Sequence, residues 1–163
     1  LKEAGAILLG ITNVPELALW WETNNTVYGV TNNPYDLRRT PGGSSGGEGA
    51  LLAAAGSVIG LGNDVGGSLR VPALFCGVFG LKPGPGVVPS SGILPRVRGY
   101  LIQMATAGPM TRYASDLTLM LTRYASDLTL MLRVMLFMLF SSLSSNNLYG
   151  IGRPTRAYYL GGG

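Results

Sequence analysis

The sequence has no histidine, a single cysteine and few charged residues of either sign. Without histidine, a Ser-His-Asp triad cannot be built from these residues. With only one cysteine, Cys76, no disulfide bond can form within the chain. No group of histidines and cysteines has the spacing of a zinc site. The sequence therefore implies no metal and no cofactor, and a nucleophile in this chain would need a base other than histidine.

The low charge also limits the kinds of partner that we expect. Charged residues make up 12% of the 163 residues, and the formal net charge is +4. The basic residues are dispersed, and only the pairs Arg38/Arg39 and Arg96/Arg98 are close in sequence, so we expect no nucleic-acid partner. The apolar run at 134–140 is much shorter than the ~20 residues that span a bilayer. Apolar residues are 47% of the chain, enough for one domain with a buried core.

The most informative feature of the sequence is a pair of glycine-rich loops that contain serine. Residues 42–47 are Gly-Gly-Ser-Ser-Gly-Gly, and residues 65–68 are Val-Gly-Gly-Ser. Each loop precedes a predicted helix, and successive N–H groups in such a turn bind anions. A serine in this position lies beside donors able to stabilise the oxyanion of acyl transfer. The pair predicts an acyl-transfer site, although two tight turns without chemistry remain an alternative from spacing alone.

Other nucleophile and nucleotide motifs fit these loops less well. Gly42-x-Ser44-x-Gly46 matches the nucleophile elbow of α/β-hydrolases, and so does the same pattern one residue later, but the histidine that this elbow requires is absent. Neither loop is followed by Gly-Lys-Ser/Thr, so neither is a P-loop. A nucleophilic serine here needs a lysine, a second serine or a residue outside this sequence as its base. The only lysines are Lys2 and Lys82.

Short apolar runs alternate with turn-forming residues and predict a series of strands and helices. Before the first serine loop we expect a helix ending near Gly5, a buried strand at 6–11, a helix from Pro15 and a surface loop at 22–41. Between the loops we expect an alanine-rich helix at 49–58 and a strand at 58–61. After the second loop we expect a helix from Leu69, strands at 78–81 and 105–110, and a helix from Ser115. We expect Trp20 and Trp21 to pack in the core, and contact with a substrate is the alternative.

Residues 42–48 and 64–72, together with Ala-Gly-Ala-Ile-Leu-Leu-Gly at 4–10, resemble the amidase signature family of Ser–cis-Ser–Lys hydrolases. The resemblance covers about 1–121 and implies part of an α/β fold with a mixed central β-sheet flanked by helices. Glu48 and the stretches at 31–35 and 82–89 are most similar to the second type of fatty-acid amide hydrolase. The glutamyl-tRNA amidotransferases of A type and the general amidases are the alternative enzyme branches.

The resemblance implies a role for each residue of the two loops. Ser68 matches the nucleophile, and Ser44 matches the bridging serine on a cis peptide bond, which relays a proton. The backbone N–H groups of Val65, Gly66, Gly67 and Ser68 match the oxyanion hole. The remaining matches are supporting ones: Ser45 as a hydrogen-bond partner, and Asp64 with Arg70 as an ion pair that braces the nucleophile loop.

The catalytic lysine of the family has no match in this sequence. In the family it lies in a Lys-Asp or Lys-Glu motif several dozen residues before the bridging serine. Lys2-Glu3 imitates that motif but falls in a later helix, and we expect Lys82 to be structural. The resemblance therefore implies a hydrolase of lipid amides that carries two members of its catalytic triad. A catalytically inactive remnant of an amidase is the alternative. The implied partner is a small amide, with an intracellular and membrane-associated location for the longer protein.

The C-terminal third departs from this pattern. Residues 111–121 are repeated without change as 122–132. Eleven residues are about three helical turns, so one helix would keep its apolar face in phase across both copies. We interpret the repeat as a recent duplication or an error in the gene model. The expected domains are a partial amidase signature domain at 1–121, the duplicate at 122–132, and a divergent, poorly ordered tail at 133–163. The start of the chain at Leu1, within a predicted helix, suggests an internal fragment.

Overall fold

The computed structural model describes residues 1–89 and 91–124. The strands are β1 (Asn24–Asn25), β2 (Gly29–Val30), β3 (Ile59–Asp64), β4 (Phe79–Gly80) and β5 (Thr106–Thr111), and the α-helices are α1 (Gly46–Ala53), α2 (Arg70–Cys76) and α3 (Ala114–Tyr124). Three 3-10 turns lie at Lys2–Ala4, Glu16–Ala18 and Gly99–Gln103. This combination of sheet and helices confirms the predicted α/β class.

The main sheet has three strands in the order β3-β5-β4, with β5 in the centre. Both pairings are antiparallel: Asp64 of β3 pairs with Thr106, and Phe79 of β4 pairs with Thr111. Strands β1 and β2 form a separate antiparallel hairpin. Because β3 ends at Asp64, the second serine loop at 65–68 directly follows this strand.

Helices α1 and α2 pack together on the sheet and form the core. The buried cluster consists of Leu52 from α1, Met110 from β5, and four residues in or beside α2, which are Leu69, Ala73, Cys76 and Val78. A Cβ on Gly49 would lie 3.1 Å from Cβ of Pro72 and 3.3 Å from Sγ of Cys76, so glycine allows the two helices to approach closely. Both helices begin at serine loops, and their packing therefore brings the two loops together.

Helix α2 has clear start and stop signals. Pro72 is its third residue, where the missing N–H costs no helical hydrogen bond. The helix ends at Gly77, whose φ of 64° is the left-handed conformation that closes many helices. The predicted start near Leu69 is confirmed, and Ser68 lies immediately before it.

The predictions for the first 21 residues are wrong in three respects. The run at 6–11 forms no strand, and Ile7 and Ile11 are 85% and 97% exposed. A buried strand needs neighbours on both sides, and no other strand of the described residues pairs with this run. The helix predicted from Pro15 is only the 3-10 turn Glu16–Ala18. Trp20 and Trp21 are 70% and 60% exposed instead of lying in the core.

Later elements agree better with the sequence. The strand predicted at 58–61 extends to Asp64, and the strand predicted at 105–110 is β5. The loop predicted at 22–41 contains the β1–β2 hairpin. Helix α3 crosses from the first copy of the repeat into the second and is described as far as Tyr124. The rest of 122–132 and the predicted tail at 133–163 lie outside the described residues.

In the part of the chain that the structure describes, no helix is both long enough and apolar enough to cross a membrane.

Candidate active site

The two serine loops contact each other through their backbones. The N–H of Ser45 donates a hydrogen bond of 3.1 Å to the carbonyl oxygen of Ser68. The hydroxyl of Ser45 accepts from the N–H of Asn63 at 3.2 Å and donates to the carbonyl of Asn63 at 3.4 Å. Ser45 thus connects the first loop to the end of β3 and to the second loop.

Ser44 lies in a buried and tightly packed loop. It is 4% exposed, and the Gly43–Ser44 peptide bond is cis, which is the form that the resemblance implies. A Cβ on Gly42 would lie 3.0 Å from the backbone nitrogen of Pro72. A Cβ on Gly43 would lie 2.7 Å from the carbonyl oxygen of Trp20. Both positions need glycine because backbone atoms occupy the space of a side chain.

Ser68 lies between β3 and α2 and is half-buried. The preceding Gly67 has a φ of 118°, a conformation that side chains other than glycine rarely adopt. The N–H of Gly67 donates to Oδ1 of Asp64 at 2.8 Å. Within residues 1–89 and 91–124, the N–H groups of Gly66 and Ser68 form no hydrogen bond. The N–H of Gly67, which the resemblance assigns to the oxyanion hole, is therefore engaged by Asp64 instead, whereas those of its two neighbours are available to an acceptor.

The carboxylate of Asp64 organises the second loop. It is fully buried and accepts hydrogen bonds from the backbone N–H groups of Gly67, of Leu69 at 3.2 Å and of Arg70 at 3.4 Å. The guanidinium of Arg70 adds two more, at 2.9 and 3.0 Å. Burial by itself would raise the pKa of Asp64, but the hydrogen bonds from Arg70 and Gly67 and the positive charge of Arg70 outweigh it and lower the pKa. The expected ion pair is thus present and fixes the turn that carries Ser68.

Glu48 lies in the first turn of α1 and is, in the sequence, a marker of the family branch; in the structure its carboxylate contacts residues distant in sequence. Its Oε2 accepts a hydrogen bond of 2.7 Å from the hydroxyl of Thr12. A Cβ on Gly60 would overlap its Oε1, so the carboxylate lies against β3. Burial raises the pKa of Glu48, and hydrogen bonds from Thr12 and from the backbone of Leu61 offset part of that rise. The only signal in the sequence is an acidic residue in the first turn of a helix that is otherwise apolar.

The structure brings Ser44, Ser45, Ser68, Asp64 and Arg70 into one site. The two lysines are elsewhere: Lys2 lies in the N-terminal 3-10 turn, and Lys82 follows β4. In the described part of the chain, neither lysine forms a hydrogen bond or ion pair with the serine loops. No three His, Cys, Asp or Glu side chains of those same residues are close enough together to hold a metal ion.

The arrangement has the components of acyl transfer by serine. A half-buried hydroxyl at Ser68 lies beside two unengaged N–H groups, which are suited to stabilise negative charge on an attacked carbonyl oxygen. A second serine loop, in which the residue Ser44 is buried, adjoins it.

Comparisons with known proteins support this interpretation. The family model described as "Amidase" matches residues 1–134. Human fatty-acid amide hydrolase 2 is 60% identical over 121 residues, which cover 74% of this chain and 23% of the human protein. The A-type subunit of the glutamyl-tRNA(Gln) amidotransferase of Sulfolobus acidocaldarius is 48% identical over 120 residues, which cover 74% of this chain and 24% of that protein.

Solved structures agree with the sequence relatives. A 6-aminohexanoate cyclic dimer hydrolase complexed with substrate superposes with a TM-score of 0.68 and 41% identity, covering 74% of this chain and 25% of the other. The chain thus spans about a quarter of the length of the relatives that it matches. Since the family model covers most of the chain and the predicted resemblance is confirmed in both sequence and fold, the chain belongs to the amidase signature family.

Proposed function

We propose that this chain is part of an amide hydrolase in which Ser68 is the nucleophile and Ser44 relays its proton. The observation that carries the proposal is the hydrogen bond from the N–H of Ser45 to the carbonyl of Ser68, because it holds the two serine loops side by side. The base that receives the proton is a lysine in the family, and this sequence has no match to it. Without that base the absolute rates fall by orders of magnitude, so each variant below is compared with the unsubstituted protein.

The reaction proceeds in two halves. The Oγ of Ser68 attacks the amide carbonyl while its proton passes through the hydroxyl of Ser44 to the base. The carbonyl oxygen becomes an oxyanion, for which the N–H groups of Gly66 and Ser68, with that of Val65, are the proposed donors. The carbon–nitrogen bond then breaks, and the amine leaves with the proton returned by the base. Water attacks the remaining ester, which releases the carboxylic acid and regenerates Ser68.

We propose a lipid amide as the substrate. The human relative at 60% identity is named a fatty-acid amide hydrolase. The exposed indole of Trp21 lies near the second loop, with Nε1 3.9 Å from the point that a Cβ on Gly67 would occupy. The exposed carbon surface of this indole is suited to contact an acyl chain. Membrane association of the longer protein is part of the same proposal.

The test is labelling of the purified protein with a fluorophosphonate, which reacts with activated serines. We expect Ser68→Ala to abolish labelling. Ser57→Ala is the control, because Ser57 is a serine that lies between α1 and β3, away from the two loops. Labelling that survives Ser68→Ala would contradict the proposal. Competition by a long-chain fatty-acid amide, but not by glutamine, would support the lipid class, and the reverse would favour the amidotransferase branch.

A catalytically inactive remnant is the second candidate. One observation favours it: within the described residues, neither Lys2 nor Lys82 forms a hydrogen bond or an ion pair with the serine loops. It predicts no Ser68-dependent labelling, even though the chain folds as described.

A further inference from the structure

Thr23 is a buried polar residue outside the two loops that reaches the first of them. It is 1% exposed, and its hydroxyl donates a buried hydrogen bond of 2.8 Å to the carbonyl oxygen of Gly42. Gly42 is followed by the Gly43–Ser44 peptide. The hydroxyl of Thr23 therefore contacts the backbone two residues before the serine that we propose as the proton relay.

The same side chain also contacts the other end of the loop. A Cβ on Gly46 would overlap Oγ1 of Thr23 and would lie 2.9 Å from its Cβ. Gly46 is the first residue of α1. Thr23 therefore packs against the loop at both ends, before and after Ser44, and limits the positions that the loop can take.

Thr23 is itself held in place by its neighbours. Its carbonyl oxygen accepts a hydrogen bond of 2.9 Å from the N–H of Thr31 across the hairpin segment. The backbone just before it packs on the loop, because a Cβ on Gly43 would lie 2.7 Å from the carbonyl oxygen of Trp20 and 3.2 Å from the nitrogen of Glu22. A donor fixed in this way can hold the carbonyl of Gly42 in one orientation.

We infer that Thr23 is a positioning residue whose hydroxyl, through the carbonyl of Gly42, sets the place of the Ser44 hydroxyl. The inference rests on the proposed function, since it assigns Thr23 to the proton relay. Thr23 does not touch the substrate. It acts only through the backbone that carries Ser44. Small displacements of a reacting group can reduce a rate by as much as about 100-fold.

The test measures amide hydrolysis and fluorophosphonate labelling per folded molecule. Thr23→Val keeps the shape and removes the hydroxyl, and we expect kcat and the labelling rate to fall by about 10- to 100-fold with KM changed less than about threefold. Thr23→Ser keeps the hydroxyl and should stay within about threefold of the unsubstituted protein. Thr26→Val is the control. The exposed hydroxyl of Thr26 donates a hydrogen bond to the carboxylate of Glu16, and we expect its removal to change neither the labelling rate nor kcat.

A second pair of variants keeps the test decisive if Thr23→Val does not fold. Thr23→Ala and Thr23→Ser both lose the methyl group and differ only in the hydroxyl, so a lower rate in Thr23→Ala alone supports the inference. Equal rates in Thr23→Val and the unsubstituted protein, or equal losses in Thr23→Ser and Thr23→Ala, would overturn it. Failure of the proposed function is recognised separately, because the unsubstituted protein would then show no labelling that depends on Ser68.

Discussion

The guanidinium of Arg70 and the carboxylate of Asp64 form two parallel hydrogen bonds, from Nε to Oδ2 at 2.9 Å and from Nη2 to Oδ1 at 3.0 Å. Asp64 is fully buried, and the side chain of Arg70 is half exposed. The same carboxylate also holds three backbone N–H groups of the loop that carries Ser68. The ion pair therefore connects the stability of the fold to the geometry of the candidate nucleophile.

Replacement of Arg70 tests this connection. We expect Arg70→Ala to lower the free energy of unfolding by about 1–3 kcal/mol, less than for a fully buried pair because Arg70 is partly solvated. Denaturation in urea measures the change. Arg38→Ala is the control, since Arg38 pairs with Asp36 on the surface and should have no measurable effect. Equal stability of the two variants would show that the Asp64–Arg70 pair does not brace the loop.

The lowered pKa of Asp64 predicts a loss of stability in acid. A carboxyl group with a folded-state pKa below its ordinary value of 3.8 stabilises the fold above pH 3.8, and that contribution disappears as the pH falls through the folded-state pKa. We expect Asp64→Asn to be less stable than the unsubstituted protein at pH 7, with a smaller difference at pH 3. Thermal unfolding across this range measures it. Asp36, whose pKa is about 2, contributes equally to both proteins and cancels in the comparison.

The sequence predicts the two serine loops well because their signals are local. Gly67 needs a positive φ, and Gly42 and Gly43 need room for nearby backbone, so each requirement leaves a glycine in a short stretch around a serine. The start of α2 is equally local, since within a helix a proline such as Pro72 is tolerated only in the first turn. These features identify the candidate site before any tertiary structure is known.

Features that depend on distant contacts are not predictable in this way. The run at 6–11 has the composition of a buried strand, but burial requires a partner strand, and the described sheet does not supply one. The side-chain hydrogen bond from Thr12 to Glu48 joins residues 36 positions apart, and no local sequence pattern predicts it. Trp20 and Trp21 are apolar and yet exposed, although their backbone packs on the first serine loop.

Glu48 should respond to pH in the opposite direction from Asp64. Because burial raises its pKa above the ordinary 4.5, the folded protein loses stability as the pH rises from 4.5 through the folded-state pKa. Glu48→Gln removes the buried charge and leaves an amide oxygen to accept the hydrogen bond from Thr12.

We therefore expect Glu48→Gln to equal or exceed the unsubstituted protein in thermal stability at pH 7, with any advantage vanishing below pH 4.5. Glu3→Gln, on the exposed N-terminal turn, is the control and should change nothing at either pH. A Glu48→Gln protein that is less stable at pH 7 would mean that the carboxylate forms a charged interaction worth more than its burial costs.

Two adjacent glycine loops allow a matched test of how tightly the site is packed. A Cβ on Gly43 would lie 2.7 Å from the carbonyl oxygen of Trp20, and backbone cannot move aside as a flexible side chain can. A Cβ on Gly66 would meet no atom within 4 Å, and the φ of Gly66 is not positive. We expect Gly43→Ala to reduce the free energy of unfolding by about 1–3 kcal/mol and Gly66→Ala to leave it nearly unchanged. Urea denaturation of both variants measures the difference. Equal free energies of unfolding of the two variants would mean that the backbone of Trp20 is not in tight contact with the Ser44 loop. The conclusion that this loop is held in one position would then be wrong.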